Sequence, residues 1–294
     1  MNVLKNRACQ YDAKLKVYSD GTVKTKLYRH QKYKDLKVLD DYDKEAKKGR
    51  IAKCDLTVDS TIRLDSLARS RDLLIDYASN NCDCWLSFVT LTFKENVTDL
   101  SYANKKFNQW CLSMRRACKK LGFEFKYLGV PEFQKRGAVH YHLLVNVRCG
   151  SDLIEFQKNT KDGSKMYDVR YWKHGFTSAF DIEKDTDDKF NVALYILKYL
   201  YKDLDERLFG HTRVLKSNNL DKPNEFYLMQ NNDTYKRAID YIKQKGYVVT
   251  NLYDFEPTED KSYITPFVAL DYKSSNHVDN NTLKEILQND GIEF

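Results

Sequence analysis

Nowhere does the 294-residue chain hold an apolar run approaching the roughly 18 residues that a membrane-crossing helix needs. Met1-Asn2-Val3-Leu4-Lys5 has no apolar core of a secretory leader, so export is not expected. The seven cysteines are odd in number and lack the spacing of a disulfide framework, which points to reduced thiols in a cytoplasm. Cys82-Asp83-Cys84 offers half of a zinc site with no second half elsewhere. There are no internal repeats and no Walker-type phosphate loop, which argues against a fused ATP-driven helicase.

What is present is the composition of a globular protein, 42% hydrophobic and 31% charged, in a chain long enough for one large domain or two small ones. The net charge of +7 is unevenly placed. Residues 1–53 carry 15 Lys and Arg against 7 Asp and Glu, and the rest of the chain is close to neutral. A local basic excess suits phosphate contacts, which give nucleic-acid affinity independent of sequence. A solvated lysine-rich surface would look the same.

Alternation and turn residues predict a hairpin from Leu15–Tyr18 and Thr22–Tyr28 around Ser19-Asp20-Gly21. An apolar stripe predicts a helix over residues 61–79, stopped at Asn80-Asn81. Leu86–Phe93 reads as a strand, with Val89, Leu91 and Phe93 on one face and Phe88, Thr90 and Thr92 on the other. A helix follows over about 102–121, its core face Ala103, Phe107, Trp110, Met114, Ala117 and Leu121, its outer face basic, and Gly122 closing it. Then come a hairpin (Phe125–Phe133 and Ala138–Val147), a loop over about 148–165, short strands at 167–171 and 176–182, and helices at about 188–204 and 233–245. From about 273 the chain reads as a polar tail.

Two segments carry chemistry. In a strand, His140 and His142 fall on one face while Val139, Tyr141, Leu143 and Val145 take the other. Lys135-Arg136-Gly137 fits a three-residue hairpin loop ending in a left-handed glycine. That register sets Glu132 opposite His140, with Cβ atoms about 5 Å apart. A two-residue loop would instead turn Glu132 away. Two imidazoles and a carboxylate with open positions suit Mn²⁺ or Mg²⁺ as a Lewis acid, and zinc is chemically allowed. Two histidines on a solvated strand face are the plainer alternative.

On a helical wheel of about 100° per residue, Tyr195, Lys198, Tyr199 and Lys202 share one arc, while Tyr201 joins the apolar side. A phenol, with its pKa of about 10, is a poor nucleophile, and neighbouring ammonium groups favour its phenolate form. Its attack on a DNA phosphate would split strand exchange into two covalent steps. An ordinary amphipathic helix with Tyr and Lys at its solvent edge is the alternative.

Together and in this order, these segments resemble the HUH endonucleases, and among them the rolling-circle replication initiators of small phages and plasmids. Phe88–Phe93 resembles their first, structural motif, Gly137–His142 their metal-binding histidine motif, and Tyr195–Lys202 their two-tyrosine YxxKYxxK motif. The resemblance covers about residues 65–223. It implies an α+β, ferredoxin-like or RRM-like fold with a central antiparallel sheet flanked by helices. It further implies a domain over 61–223, between a basic extension (1–60) and a C-terminal extension (224–294).

By the resemblance, Tyr199 is the first nucleophile, Tyr195 serves strand transfer or termination, and Lys198 and Lys202 position phosphate or phenolate. His140, His142 and Glu132 hold Mn²⁺ or Mg²⁺. The implied activity is origin nicking through a 5′-phosphotyrosine link in the cytoplasm of a bacterial host. The implied partners are single-stranded origin DNA, origin duplex, a host helicase and a DNA polymerase, with no membrane. A relaxase or HUH transposase shares this chemistry. A non-catalytic RRM-like binding protein, or a hydrolase without a covalent step, belongs to another class. Exposed stacking rings in place of the histidines would favour the binding protein.

Overall fold

The computed structural model describes residues 8–35, 60–161, 163–182, 206–208, 211–256, 266–274, 280–288 and 292–293. The chain forms two compact units: Arg63–Lys222, and a second that combines Met1–Ile62 with Pro223–Phe294. Both are α+β, built on antiparallel sheets flanked by helices. Labels below run in chain order over the described residues.

In the second unit, β1 (Ala8–Val17) and β2 (Val23–Asp35) form the expected hairpin, closed by Gly21 at φ 89° and by the Thr22 N–H on Asp20. The unit is completed by β10 (Asn224–Leu228), α3 (Asp233–Gln244), β11 (Tyr247–Phe255), β12 (Phe267–Ser274), α4 (Asn280–Gln288) and β13 (Ile292–Glu293). Its sheet order is β11-β12-β2-β1-β10-β13, so strands from both ends of the chain share one sheet. The helix expected at 233–245 is α3. The segment expected as a polar tail contains the end of β12, then α4 and β13, because Leu283 and Leu287 are spaced to bury against α3 and the sheet.

The first unit begins with α1 (Ser60–Asn80), which buries Leu74, Tyr77 and Ala78 and stops where Asn81 bonds back to the Tyr77 carbonyl. Next are β3 (Ser87–Thr92), α2 (Leu100–Lys120), β4 (Tyr127–Phe133), β5 (Val139–Val145), β6 (Ile154–Asn159), β7 (Lys165–Val169), β8 (Thr177–Asp181) and β9 (Leu215–Lys216). The sheet order is β6-β7-β8-β3-β5-β4-β9, antiparallel throughout. β6 lies within the stretch expected as a loop; its residues after Ile154 are exposed, so it lacks the buried alternation that marks a strand in sequence.

The α2 helix is capped by the Asp99 carboxylate on the N–H groups of Ser101 and Tyr102. It ends with Gly122 at φ 86°, the Gly122 N–H on the Lys119 carbonyl and the Phe123 N–H on that of Cys118. Ala103, Phe107, Trp110 and Met114 are buried as expected. Leu121 is instead 53% exposed, because the helix turns off one residue before it; Cys111 and Cys118 fill the stripe. Phe107 stacks on Tyr141 of β5 at 4.7 Å, and the Tyr141 hydroxyl donates to Asn104 Oδ1 at 2.9 Å. The core face of β5 is thus clamped to α2, which fixes the direction of its opposite face.

Candidate functional site

That opposite face carries Leu144, His142 and His140 in a row. Leu144 packs with Phe88, Leu128, Val130 and the α1 residues. Farther along the strands this apolar cover gives way to Thr90, Thr92, His140, His142 and Glu132. The hairpin is the three-residue one: the Gln134 N–H reaches the Ala138 carbonyl at 2.8 Å, and Gly137 sits at φ 89°. Glu132 therefore stands opposite His140 and Val130 opposite His142.

The two imidazole rings are 6.2 Å apart. His142 stacks on Phe88, its Nδ1 lies 3.3 Å from Thr90 Oγ1, and its Nε2 lies 2.6 Å from Glu132 Oε2. Both histidines are buried. His140 Nε2 is buried with no hydrogen-bond partner. Burial and the neighbouring His142 and Arg136 pull the His140 pKa down to about 4, against the opposing influence of Glu132. At neutral pH this ring is uncharged and holds a lone pair or an N–H with nothing to meet it.

These side chains line a cavity of about 650 Å³ together with Lys94, Gln134, Lys135, Arg136 and Phe176. Arg136 donates to the carbonyls of Phe93 (2.7 Å) and Lys94 (3.4 Å) and to Gln134 Oε1 (2.8 Å), so its charge is fixed at the rim. Phe176 is 68% exposed there. Thr90, Arg136, Lys94 and Phe176 were not singled out in the sequence. Only Thr90 had a readable signal, as the position on β3 that faces the histidines. Phe176 arrives through the close passage of Gly175, where a Cβ would run into the Thr92 carbonyl and the Lys94 N–H.

Among the described residues, no three His, Cys, Asp or Glu side chains already stand in a metal-binding arrangement. Glu132 instead closes onto His142. The donor types nonetheless fit a divalent ion: two neutral-ring nitrogens, one of them orphaned, and a carboxylate on the same face. None of the described cysteines is in a disulfide.

Tyr195, Lys198, Tyr199 and Lys202 lie outside the described residues. The chain is described again at Glu206–Leu208. There Leu208 is buried in the α2 core, and the Arg207 guanidinium lies 4.0 Å from the Phe133 ring, next to Glu132.

Comparison with known proteins bears on this unit. Residues 86–204, less than half of the chain, match a family described as replication-associated protein of the ORF2 type. The chain is also similar to the Phasyl DNA replicon protein arp of Escherichia coli, 28% identical over 136 residues. That likeness covers 42% of this chain and 45% of the relative, so the chain spans less than half the length of the relative. No solved structure matches.

Proposed function

We propose that the Arg63–Lys222 unit is an HUH-type endonuclease and strand transferase that nicks single-stranded DNA at an origin to start rolling-circle replication. The observation that carries this reading is Glu132 set beside His140 and His142 on one face of an antiparallel sheet, within a stretch that matches a replication-associated protein family. The likeness to a replicon protein supports a role in replication initiation.

His140, His142 and Glu132 are the residues that would hold Mn²⁺ or Mg²⁺, which supplies charge neutralisation at the scissile phosphate. Thr90 holds His142 by its Nδ1, as an outer partner of a ligating histidine does. Lys94 and Arg136 place positive charge at the rim, where a phosphodiester would lie. Phe176 offers an exposed ring for a neighbouring base.

The nucleophile is Tyr199. Its phenol oxygen bonds to phosphorus, the P–O3′ bond breaks, and the phenolic proton passes to the departing 3′ oxygen. The products are a 5′-phosphotyrosine and a 3′-OH, which a host polymerase extends behind a host helicase. Tyr195 repeats the exchange to transfer or close the strand, and Lys198 and Lys202 favour phenolate or bind phosphate. Arg207, eight residues after Tyr199 in the sequence and packed beside Glu132, supports the approach of this segment to the site.

Incubating the protein with a labelled origin oligonucleotide and Mn²⁺, and reading a denaturing protein gel, tests the reading. An EDTA-sensitive band carrying both label and protein is expected. Cleaved DNA with no adduct would replace the tyrosine chemistry with simple hydrolysis.

A further inference from the structure

The six-stranded sheet of the other unit has two unlike faces. One buries Ala13, Leu15, Val17, Val23, Phe226 and Leu228 against α3 and α4. The opposite face alternates with it and is built of lysines and aromatic rings.

Its lysines are placed against their own interest. Lys14 stands directly opposite Lys26, and Lys16 directly opposite Lys24, across β1 and β2. Like charges directly opposed on a sheet face destabilise it. Glu225 bonds to both Lys14 and Lys16, at 3.0 and 3.3 Å, while Lys24 and Lys26 face Asp271 and Ala269 on β12. Such a block is out of place in a merely structural sheet and suits a surface that meets a polyanion.

The rings identify which polyanion. Tyr253, Phe255 and Phe267 form a near-parallel column, with centroid distances of 6.3 and 5.1 Å and interplanar angles of 29° and 22°. Lys26 Nζ caps one end, 3.6 Å from the Phe267 centroid. Tyr253 is at the other end and is 53% exposed. A column of rings closed at one end by a cation and open at the other is a place for an unpaired base to continue the stack, with phosphates on the adjacent lysines. A duplex, whose bases are already stacked, could use only the lysines.

We propose that this lysine and aromatic face is a second nucleic-acid surface, separate from the histidine site, and that it takes single-stranded nucleic acid by stacking a base on Tyr253 and holding phosphates at Lys24 and Lys26. It does not depend on the nicking chemistry. Residues from both ends of the chain build it, so neither flanking segment alone would form it.

The test is fluorescence anisotropy on the full chain in EDTA, which suppresses metal-dependent cleavage. The probes are a labelled oligothymidylate, the same oligomer made abasic, and a matched duplex. Tyr253→Ala is expected to weaken oligothymidylate binding roughly tenfold and to leave abasic binding nearly unchanged. The double variant Lys24→Gln/Lys26→Gln should weaken both single-stranded probes while leaving the thermal midpoint the same or higher, since it removes like-charge opposition. His140→Leu should leave oligothymidylate binding in EDTA within about twofold of wild type, a measurement that sets this surface apart from the histidine site. Unchanged affinity in both surface variants, or tighter binding of the duplex than of the oligothymidylate, would overturn the proposal.

Discussion

Glu132 and His142 are joined by a 2.6 Å hydrogen bond across β4 and β5, while His140, directly opposite Glu132, has its Nε2 buried and unmatched. The carboxylate thus satisfies one imidazole and leaves the other wanting. A divalent ion shared by all three would resolve this imbalance, since it accepts both ring lone pairs and the carboxylate together.

The orphaned nitrogen makes a stability prediction. A buried polar atom without a partner costs about 1–3 kcal/mol. His140→Leu should therefore raise the metal-free thermal midpoint. The same variant should lose the upward shift that Mn²⁺ produces in the wild-type protein, because an ion that binds only the folded state stabilises by mass action. Differential scanning calorimetry with and without Mn²⁺ reads both effects, and an equal Mn²⁺ shift in both proteins would remove His140 from the metal site.

Gly175 should tolerate no side chain. Its missing Cβ leaves room for the Thr92 carbonyl and the Lys94 N–H, close beside the backbone bonds from Thr92 to Phe176 and from Lys94 to His174. Gly175→Ala would push this crossing apart, at a cost of about 1–3 kcal/mol typical of overpacking. Urea unfolding would show it as a lower midpoint, and a wild-type midpoint would contradict the close approach.

Acid should weaken the second unit through Glu225. Burial pushes this carboxyl up, but Lys14, Lys16 and the Tyr227 hydroxyl outweigh it and hold its pKa at about 2, below the ordinary 4.5. A depressed carboxyl contributes its full stability above pH 4.5 and loses it as pH falls toward 2. Its contribution is on the order of 2 kcal/mol. The pH dependence of unfolding between 4.5 and 2 should be shallower in Glu225→Gln than in wild type; an identical slope would exclude Glu225 as its source.

The histidine hairpin was legible in the sequence because a three-residue loop with a glycine at its end leaves one register, and Gly137 adopts the left-handed conformation that loop needs. The face of β3 was legible from alternation alone. β11 was not, since its residues are exposed on both sides and carry no period. Nor was the pairing of β1 with β10, which joins residues more than 200 positions apart and leaves no local trace. The contributions of Arg136 and Phe176 come from turns, where side-chain direction follows from tertiary contacts that no spacing rule encodes.

Tyr199 as the attacking group is the central claim. Its most direct test is mass spectrometry of the protease-digested adduct, formed with the origin oligonucleotide in Mn²⁺. The account predicts a 5′-phosphonucleotide on the peptide that contains Tyr199, lost in Tyr199→Phe and retained in Tyr195→Phe. A nicked oligonucleotide with no modified peptide, cut equally well by the double Tyr195→Phe/Tyr199→Phe protein, would contradict it.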